Sequence, residues 1–522
     1  MRTRAREQDD SRIFAFCKNQ SLTLKEFDQK SDRLANALLS RGIKKGEKVA
    51  IISHSSLEYL VCEYATFKIG AVCVPFNCLL KSNEFAYLLE NADAVLAFVH
   101  SAYLKEFLDS RTGTEKKIPY VVMDENPDAQ DPNYISLREL VEQGDESPPL
   151  VEAGYTDPCC ILYTSGTTGA PKGVVYENYA MLPPHGETYV QQMMDVIHLG
   201  PDDTTYLPFA LYHVLGQVHV IGALRNGGRI ALAERFSASQ FWNEVRACDA
   251  TVLVHQGASI PLLLRQGTSE LDKEHHVRLS VGAGVPNEEV WKAFEQRFGV
   301  KVFEHYAQTE GAFFGAGTKP TNEVGTVGLP YDSAEIRLID ENEREVREGD
   351  PGQLVSRLKL SIGLVRRKRP EELYYKDPEK GRSRFTRDGW FKSGDIVRVD
   401  ERGFLHYVGK VETFIRYRGE NISPLQIESV LSKHPAIEEC IAVGVQNKEF
   451  GGDDIKVVIA LKQGASLAQK DLISWCESAF PRFMVPRYIE CVKELEKTEQ
   501  TKKILRNAYK DNTDKTWDRF AQ

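Results

Sequence analysis

The sequence predicts an α/β protein: a large N-terminal domain of layered α/β subdomains followed by a small α+β C-terminal domain. Three observations carry this. From Leu22 to about Val99, helical and strand-like periodicities alternate. A second alternating run extends from ILYTS (161–165) to KVFEHY (301–306). Around Val408 the chain turns charged and glycine-rich, then continues in a short tail of mixed runs.

Taken in order, LTLKEFDQKSDRLANALLSRG (22–42) carries apolar residues at three- and four-residue spacing and ends on Gly42, as a helix with a glycine stop would. VAIIS (49–53) is a short β-branched run, LEYLVCEYATFKIG is helical in period, and AVCVPF (71–76) and DAVLAFV (93–99) read as strands. Such alternation favours a largely parallel sheet. The polar stretch near 124–150 reads as surface loop. GRIALA (228–233), ATVLVH (250–255) and KVFEHY supply further strands. The last ~110 residues contain two strand-like and two helical runs, enough for a small domain. The expected domains are therefore 1–409 and 413–522, with the boundary at 410–412, and no internal repeat is apparent.

Composition narrows the function. The 522 residues are 42% apolar and 27% charged, as in an ordinary globular protein. A formal charge of −9 argues against nucleic acid as an electrostatically bound partner. No run approaches the ~18 apolar residues of a membrane span. The basic N-terminus lacks the apolar stretch of a secretion signal. Ten scattered cysteines show no zinc-ligand spacing, and Cys159 and Cys160 sit in an apolar run as buried thiols would. Reduced cysteines and a cytoplasmic location are expected.

The most informative stretch is YTSGTTGAPKGV (163–174), which from Thr164 to Gly173 sets four hydroxyls, three glycines and one lysine between two apolar runs. Hydroxyls and free N–H groups in a glycine-rich turn are good donors to phosphate oxygens, and Lys172 supplies charge. The P-loop pattern GxxxxGK[ST] fails here, and VVY follows directly, as if the loop joined two strands. Taken alone, a flexible surface hairpin is the competing interpretation.

Its surroundings decide between them. YTSGTTGAPKGV resembles the signature loop of the adenylate-forming superfamily, which includes acyl-CoA synthetases, luciferases and peptide-synthetase adenylation domains. Five further segments resemble its motifs in order: YLPFALYHVLGQ (206–217), SVGAGVP (280–286), HYAQTEG (305–311), DGWFKSGD (388–395) and GKVETFIRYRGENISPLQIE (409–428). Within the superfamily the chain looks most like acyl-CoA ligases, the crotonobetaine/carnitine–CoA ligase type among them.

The resemblance implies an AMP-forming acid–thiol ligase using ATP, Mg²⁺ and coenzyme A on a small carboxylic acid. It implies that Thr164, Ser165, Gly166, Thr167, Thr168 and Lys172 hold the β- and γ-phosphates, with Glu310 and Thr164 at the metal and Thr309 at the α-phosphate. Gly282, Ala283, Gly284, Tyr306 and Ala307 would receive adenine, and Asp395 and Lys410 would hold ribose. His213 would gate the acyl pocket, to which His219, His255, Gln256 and Gly311 contribute. The small domain would be mobile, turning about Glu412. In one pose it would deliver an adenylation lysine; counting forward from Lys497 selects Lys502, counting back from KILR selects Lys503. In the other, Arg416, Gly419 and Glu420 would line the path of the thiol.

Two segments depart from the family pattern. Lys410 stands where an arginine is usual, keeping charge but losing the two-pronged fork. RRKRPEE (366–372) replaces a compact glycine-rich turn. An amine or a carrier-protein thiol is the alternative acceptor, and a nucleotide sensor without catalysis the third interpretation. Mixed polar and aromatic pocket segments suggest a modest-sized acid. Oligomeric state is left open, a homodimer being one candidate.

Overall fold

The computed structural model describes residues 11–112, 117–124, 134–164, 171–178, 189–257, 259–285, 287–311, 314–359, 369–413, 415–417, 420–447, 453–480, 484–497, 504–510 and 513–521. They fall into two compact units. The first comprises Met1–Arg337, Val355–Ser393 and Arg402–Leu405; the second comprises Leu338–Leu354, Gly394–Glu401 and His406–Gln522.

Fourteen described strands of the first unit make up its two large sheets. The earlier nine are β1 (Ile13–Cys17), β2 (Gln20–Thr23), β3 (Lys48–Ile52), β4 (Val72–Phe76), β5 (Ala94–Val99), β6 (Tyr120–Val122), β7 (Ile135–Ser136), β8 (Pro158–Thr164) and β9 (Lys172–Glu177). The later five are β10 (Thr204–Leu207), β11 (Arg229–Leu232), β12 (Val252–Gln256), β13 (Leu279–Ala283) and β14 (Lys301–Glu304). They form two seven-stranded sheets, ordered β7-β6-β5-β3-β4-β8-β9 and β14-β13-β12-β10-β11-β1-β2. Each is parallel except at one end, where β8–β9 and β1–β2 pair antiparallel. The alternation in the sequence thus becomes parallel sheet, as expected of strands linked through helices.

Helix α1 (Leu24–Ser40) begins two residues inside the helical period of 22–42, because Leu22 and Thr23 belong to β2. Thr23 caps it: the Glu26 N–H donates to Thr23 Oγ1 at 3.1 Å, and the Thr23 N–H donates to Glu26 Oε2 at 2.8 Å. Phe27, Leu34, Ala35 and Leu38 form its buried face. Past its end, Gly42 adopts φ +85°. Helix α2 (Leu57–Lys68) is buried almost all round and carries the fully enclosed Glu63. Helix α3 (Val214–Asn226) follows β10 and ends on Gly227 at φ +77°. All ten cysteines are free thiols, Cys159 and Cys160 buried among them. No described helix is long and apolar enough to cross a membrane.

The second unit is richer in strands than its sequence suggests. Ile437–Gln446 and Asp453–Leu461 pair antiparallel; Tyr488–Val492 joins the latter in parallel, and Trp517–Asp518 closes the edge. Ile415–Tyr417 and Glu420–Ile422 add a small hairpin. These shorter strands span too few residues to display a period-2 pattern. Helices Pro424–Leu431 and Gln469–Ala479 cover the sheet through Ile427, Leu431, Leu472 and Cys476.

Candidate active site

β8 and β9 form an antiparallel pair whose last rung matches Thr164 with Lys172. The Thr164 hydroxyl donates to the Lys172 carbonyl at 3.4 Å. Ser165, Gly166, Thr167 and Thr168 lie outside the described residues. Along β9, Lys172, Val174 and Tyr176 share one face. The segment Leu373–Tyr375 extends the edge: the Val175 N–H donates to Leu373 O at 3.1 Å and the Tyr375 N–H to Gly173 O at 2.8 Å.

This edge brings together three of the functional groups. The Lys172 ammonium lies 5.9 Å from the centre of the Tyr374 ring, and the buried Tyr374 hydroxyl donates to Glu310 Oε1 at 2.9 Å. Burial is the main influence lowering the Lys172 pKa; Lys380 and Arg384 lower it further, against Asp377 and Glu310. Two cations and two carboxylates thus act on the Lys172 ammonium. The Tyr176 hydroxyl donates to the Thr309 carbonyl, tying β9 to the segment that carries Glu310.

A second group of residues gathers at the carboxyl ends of β12, β13 and β14. His255 pairs with Gly282 across β12 and β13, and a Cβ at Gly282 would lie 2.0 Å from the His255 carbonyl oxygen. Beyond it Gly284 adopts φ +93°, so the turn needs glycine at both positions. Glu304, 3% exposed, fixes that turn by accepting N–H bonds from Gly284 (3.0 Å) and Val285 (2.7 Å). His255 Nε2 sits 3.3 Å from the same carboxylate, and its Nδ1 2.9 Å from the Ser280 hydroxyl. Tyr306 is buried and exchanges two hydrogen bonds with Thr318, at 2.7 and 3.0 Å. Ala307 is exposed, Ala283 half-buried, and Gly311 packs so tightly that a Cβ would meet Ala316 O at 2.4 Å.

His213 immediately precedes α3 and is exposed, its ring 4.6 Å from that of Tyr212. The segment before it is held from two sides. The Leu211 N–H donates to the Ser55 hydroxyl at 3.2 Å, and Gln217 Nε2 donates both to Leu211 O (2.6 Å) and to Glu63 Oε1 (2.7 Å). His219 and His255 are buried, whereas Gln256 is exposed. Sequence reasoning missed Glu304, His305 and the Glu63–Gln217 pair. Glu63 and Gln217 sit between non-polar or aromatic neighbours, a weak signal, whereas Glu304 and His305 adjoin each other at the end of an ordinary strand pattern.

In the second unit, Asp395 is buried and accepts from the Tyr407 hydroxyl at 3.5 Å; burial, then Asp395, raises the Tyr407 pKa. The Lys410 side chain is exposed, and its carbonyl accepts from Thr413 Oγ1 at 3.1 Å. Glu412 lies in the short turn Val411–Thr413. Arg416 opposes Asn421 and Glu420 opposes Tyr417 in the small hairpin, while Gly419 lies outside the described residues. Lys502 and Lys503 also lie outside them; of the described residues on either side, Lys497 and Ile504 form an antiparallel bridge. Lys497 Nζ bonds both oxygens of Glu439 at 2.6 and 2.8 Å, and Arg506 grips Glu428 and the Ala442 carbonyl (3.0 Å). Both flanking cations are thus engaged in structural pairs. Of the basic cluster at 366–372, Arg369 pairs with Glu372 at 2.6 Å.

Comparison with known proteins gives consistent matches. The AMP-binding enzyme family matches residues 1–360, and the AMP-binding enzyme C-terminal domain matches 426–502. The crotonobetaine/carnitine–CoA ligase of Escherichia fergusonii is 29% identical over 496 residues, covering 93% of this chain and 92% of that one. That of Salmonella paratyphi A is 28% identical over 504 residues, covering 95% of each. Among solved structures, ATP-bound MatB from Rhodopseudomonas palustris superposes with a TM-score of 0.82 at 22% identity, covering 97% of both chains. The anthranilate CoA ligase AuaEII in complex with anthranoyl-AMP superposes with 0.81 at 24% identity, covering 96% and 94%.

Proposed function

The chain belongs to the AMP-binding enzyme family, and on that premise we propose that it is an ATP-dependent carboxylic acid–CoA ligase working through an acyl-adenylate. The observation that carries this is the cationic edge of β9, where Lys172 stands with Lys380 and Arg384 beside Glu310. Joining a carboxylate to ATP brings two anions together, and fixed positive charge at the polyphosphate lowers that barrier. The curated relatives named above, which span nearly the whole chain, are CoA ligases.

In the first half-reaction a carboxylate oxygen attacks the α-phosphorus and the α–β phosphoanhydride bond breaks, releasing pyrophosphate. Lys172, with the hydroxyls of 164–168, holds the polyphosphate. The turn at 282–284 and Tyr306 receive adenine, and Asp395 with Lys410 receives ribose. Among the described residues no three His, Cys, Asp or Glu side chains gather as a metal site. A magnesium ion suits the remaining donors: Glu310 would hold it with phosphate oxygens, and it would neutralise charge on the leaving group. Lys502 or Lys503 reaches the α-phosphate. In the second half-reaction the thiol sulfur attacks the acyl carbonyl and AMP leaves. The segment from Arg416 to Glu420 then lines the thiol path, after rotation about 410–412.

Mass spectrometry of protein incubated with ATP, Mg²⁺, CoA and a panel of acids tests this. Acyl-CoA and AMP are the expected products. An amide product would assign an amine acceptor, and nucleotide binding without pyrophosphate release would contradict the enzymatic interpretation. In the same assay, Lys502→Ala should slow adenylation far more than thiol transfer from a preformed adenylate. If Lys503→Ala does so instead, the reacting lysine is the later one.

A further inference from the structure

Three buried histidines meet where the second sheet ends. His255 is next to last in β12, His305 follows β14 by one residue, and His219 lies on α3, the helix entered from β10. The carboxyl ends of parallel strands are where open α/β sheets bind ligands. Exposure is 3% for His255, 4% for His305 and 1% for His219.

Their hydrogen bonding is unequal. His255 has both nitrogens engaged, with Ser280 and with Glu304. His305 Nδ1 has no partner among the described residues, and neither ring nitrogen of His219 has one. Burying such groups unpaired is unfavourable, and a leucine of similar volume would fill the same space without that cost. Histidine at 219 therefore makes sense as a group that pairs with what binds.

The state of these rings restricts the partner. Burial lowers the His219 pKa to about 3, helped by the nearby His305 and His255. Burial likewise lowers that of His305 to about 4, against the pull of Glu304. A neutral imidazole offers one donor and one acceptor, and no charge. A second carboxylate would find no cation among these rings. An ammonium group would find Glu304 already holding Gly284, Val285 and His255. A plain hydrocarbon chain would leave the nitrogens unpaired.

We propose that the acid activated at this site carries a neutral hydrogen-bonding group, a hydroxyl or a carbonyl, which His219 and His305 bind. The inference rests on the carboxylate-adenylating function proposed above and names its substrate class. His219 is then a specificity-determining residue.

The test is pyrophosphate exchange with matched acids: butanoate, 3-hydroxybutanoate, 3-oxobutanoate and succinate, then benzoate and its hydroxylated forms. The wild type should prefer a hydroxy or oxo acid over its plain counterpart by roughly tenfold or more in kcat/KM. His219→Leu should abolish that ratio while leaving the KM for ATP unchanged, and His219→Asn, which keeps a donor and an acceptor, should restore part of it. Thermal melting of both variants separates loss of preference from loss of fold. A wild-type preference for plain acids or for the dicarboxylate overturns the inference. So does an unchanged ratio in His219→Leu, or an effect confined to ATP. If no acid in the panel supports exchange while the protein is folded, the adenylation function itself falls, and this inference with it.

Discussion

The two seven-stranded sheets of the first unit share a plan and differ at the ends of their strands. In one, β3, β4 and β5 read KVAII, VCVPF and AVLAFV, buried and apolar past Lys48. In the other, β12, β13 and β14 place His255, Ser280, Gly282 and Glu304 among their apolar residues. The first sheet behaves as scaffold and extends outward only at its antiparallel edge, where β9 offers Lys172. The second gives up apolar burial at its carboxyl ends to hold a shaped turn. Topology alone therefore does not distinguish the two sheets; the polar residues that interrupt the buried strands do.

The largest expected effect breaks that contrast directly. Glu304→Ala leaves two turn N–H groups and His255 without their buried acceptor, and should lower stability by about 4 kcal/mol. Ile51→Val in β3 should cost about 1 kcal/mol. Urea midpoints that shift equally for both would make the two sheets equivalent.

A smaller effect sharpens the comparison through pH. Near the scaffold sheet, burial raises the Glu63 pKa from 4.5 to about 8. The folded chain keeps that proton when the unfolded chain has released it, so stability falls as pH rises from 4.5 to 8. Glu63→Gln should remove this slope, worth on the order of 2 kcal/mol between pH 5 and 7. At the polar sheet the sign reverses. His219 and His305, lowered from 6.5 to about 3 and 4, stay neutral where the unfolded chain takes up protons, so stability falls as pH drops below 6.5. His219→Leu should remove its share of this acidic branch, keep that of His305, and leave the alkaline branch intact. Chemical denaturation at a series of pH values checks both slopes.

The smallest expected effect on stability is that of Lys172→Ala. The side chain is half-buried, and its ring contact at 5.9 Å is worth under about 1 kcal/mol. Melting curves of the variant and wild type should nearly coincide.

Much of this was legible in the chain itself. The alternating periods gave both parallel sheets, and a polar loop running straight into VVY gave the β8–β9 hairpin. Glycines 282 and 284 stood out in SVGAGVP, and their geometry now explains why. Glu304 did not stand out, because KVFEHY reads as an ordinary strand; its partners Gly284 and Val285 come from another strand's end. Glu63 hid in the helical period of α2, and its partner Gln217 lies far along the chain. Buried polar pairs between distant segments have no local periodicity to reveal them. The short strands Trp517–Asp518 and Ile415–Tyr417 escaped for a simpler reason, their length.

The central claim is that the lysine on the scaffold's edge serves the reaction whose other components the polar sheet holds. Exchange of labelled pyrophosphate into ATP, driven by an accepted acid, tests it most directly when wild type is set beside Lys172→Ala. Loss of about 100-fold or more in exchange from a variant that melts with the wild type is the result expected. Full exchange without that lysine would contradict the claim.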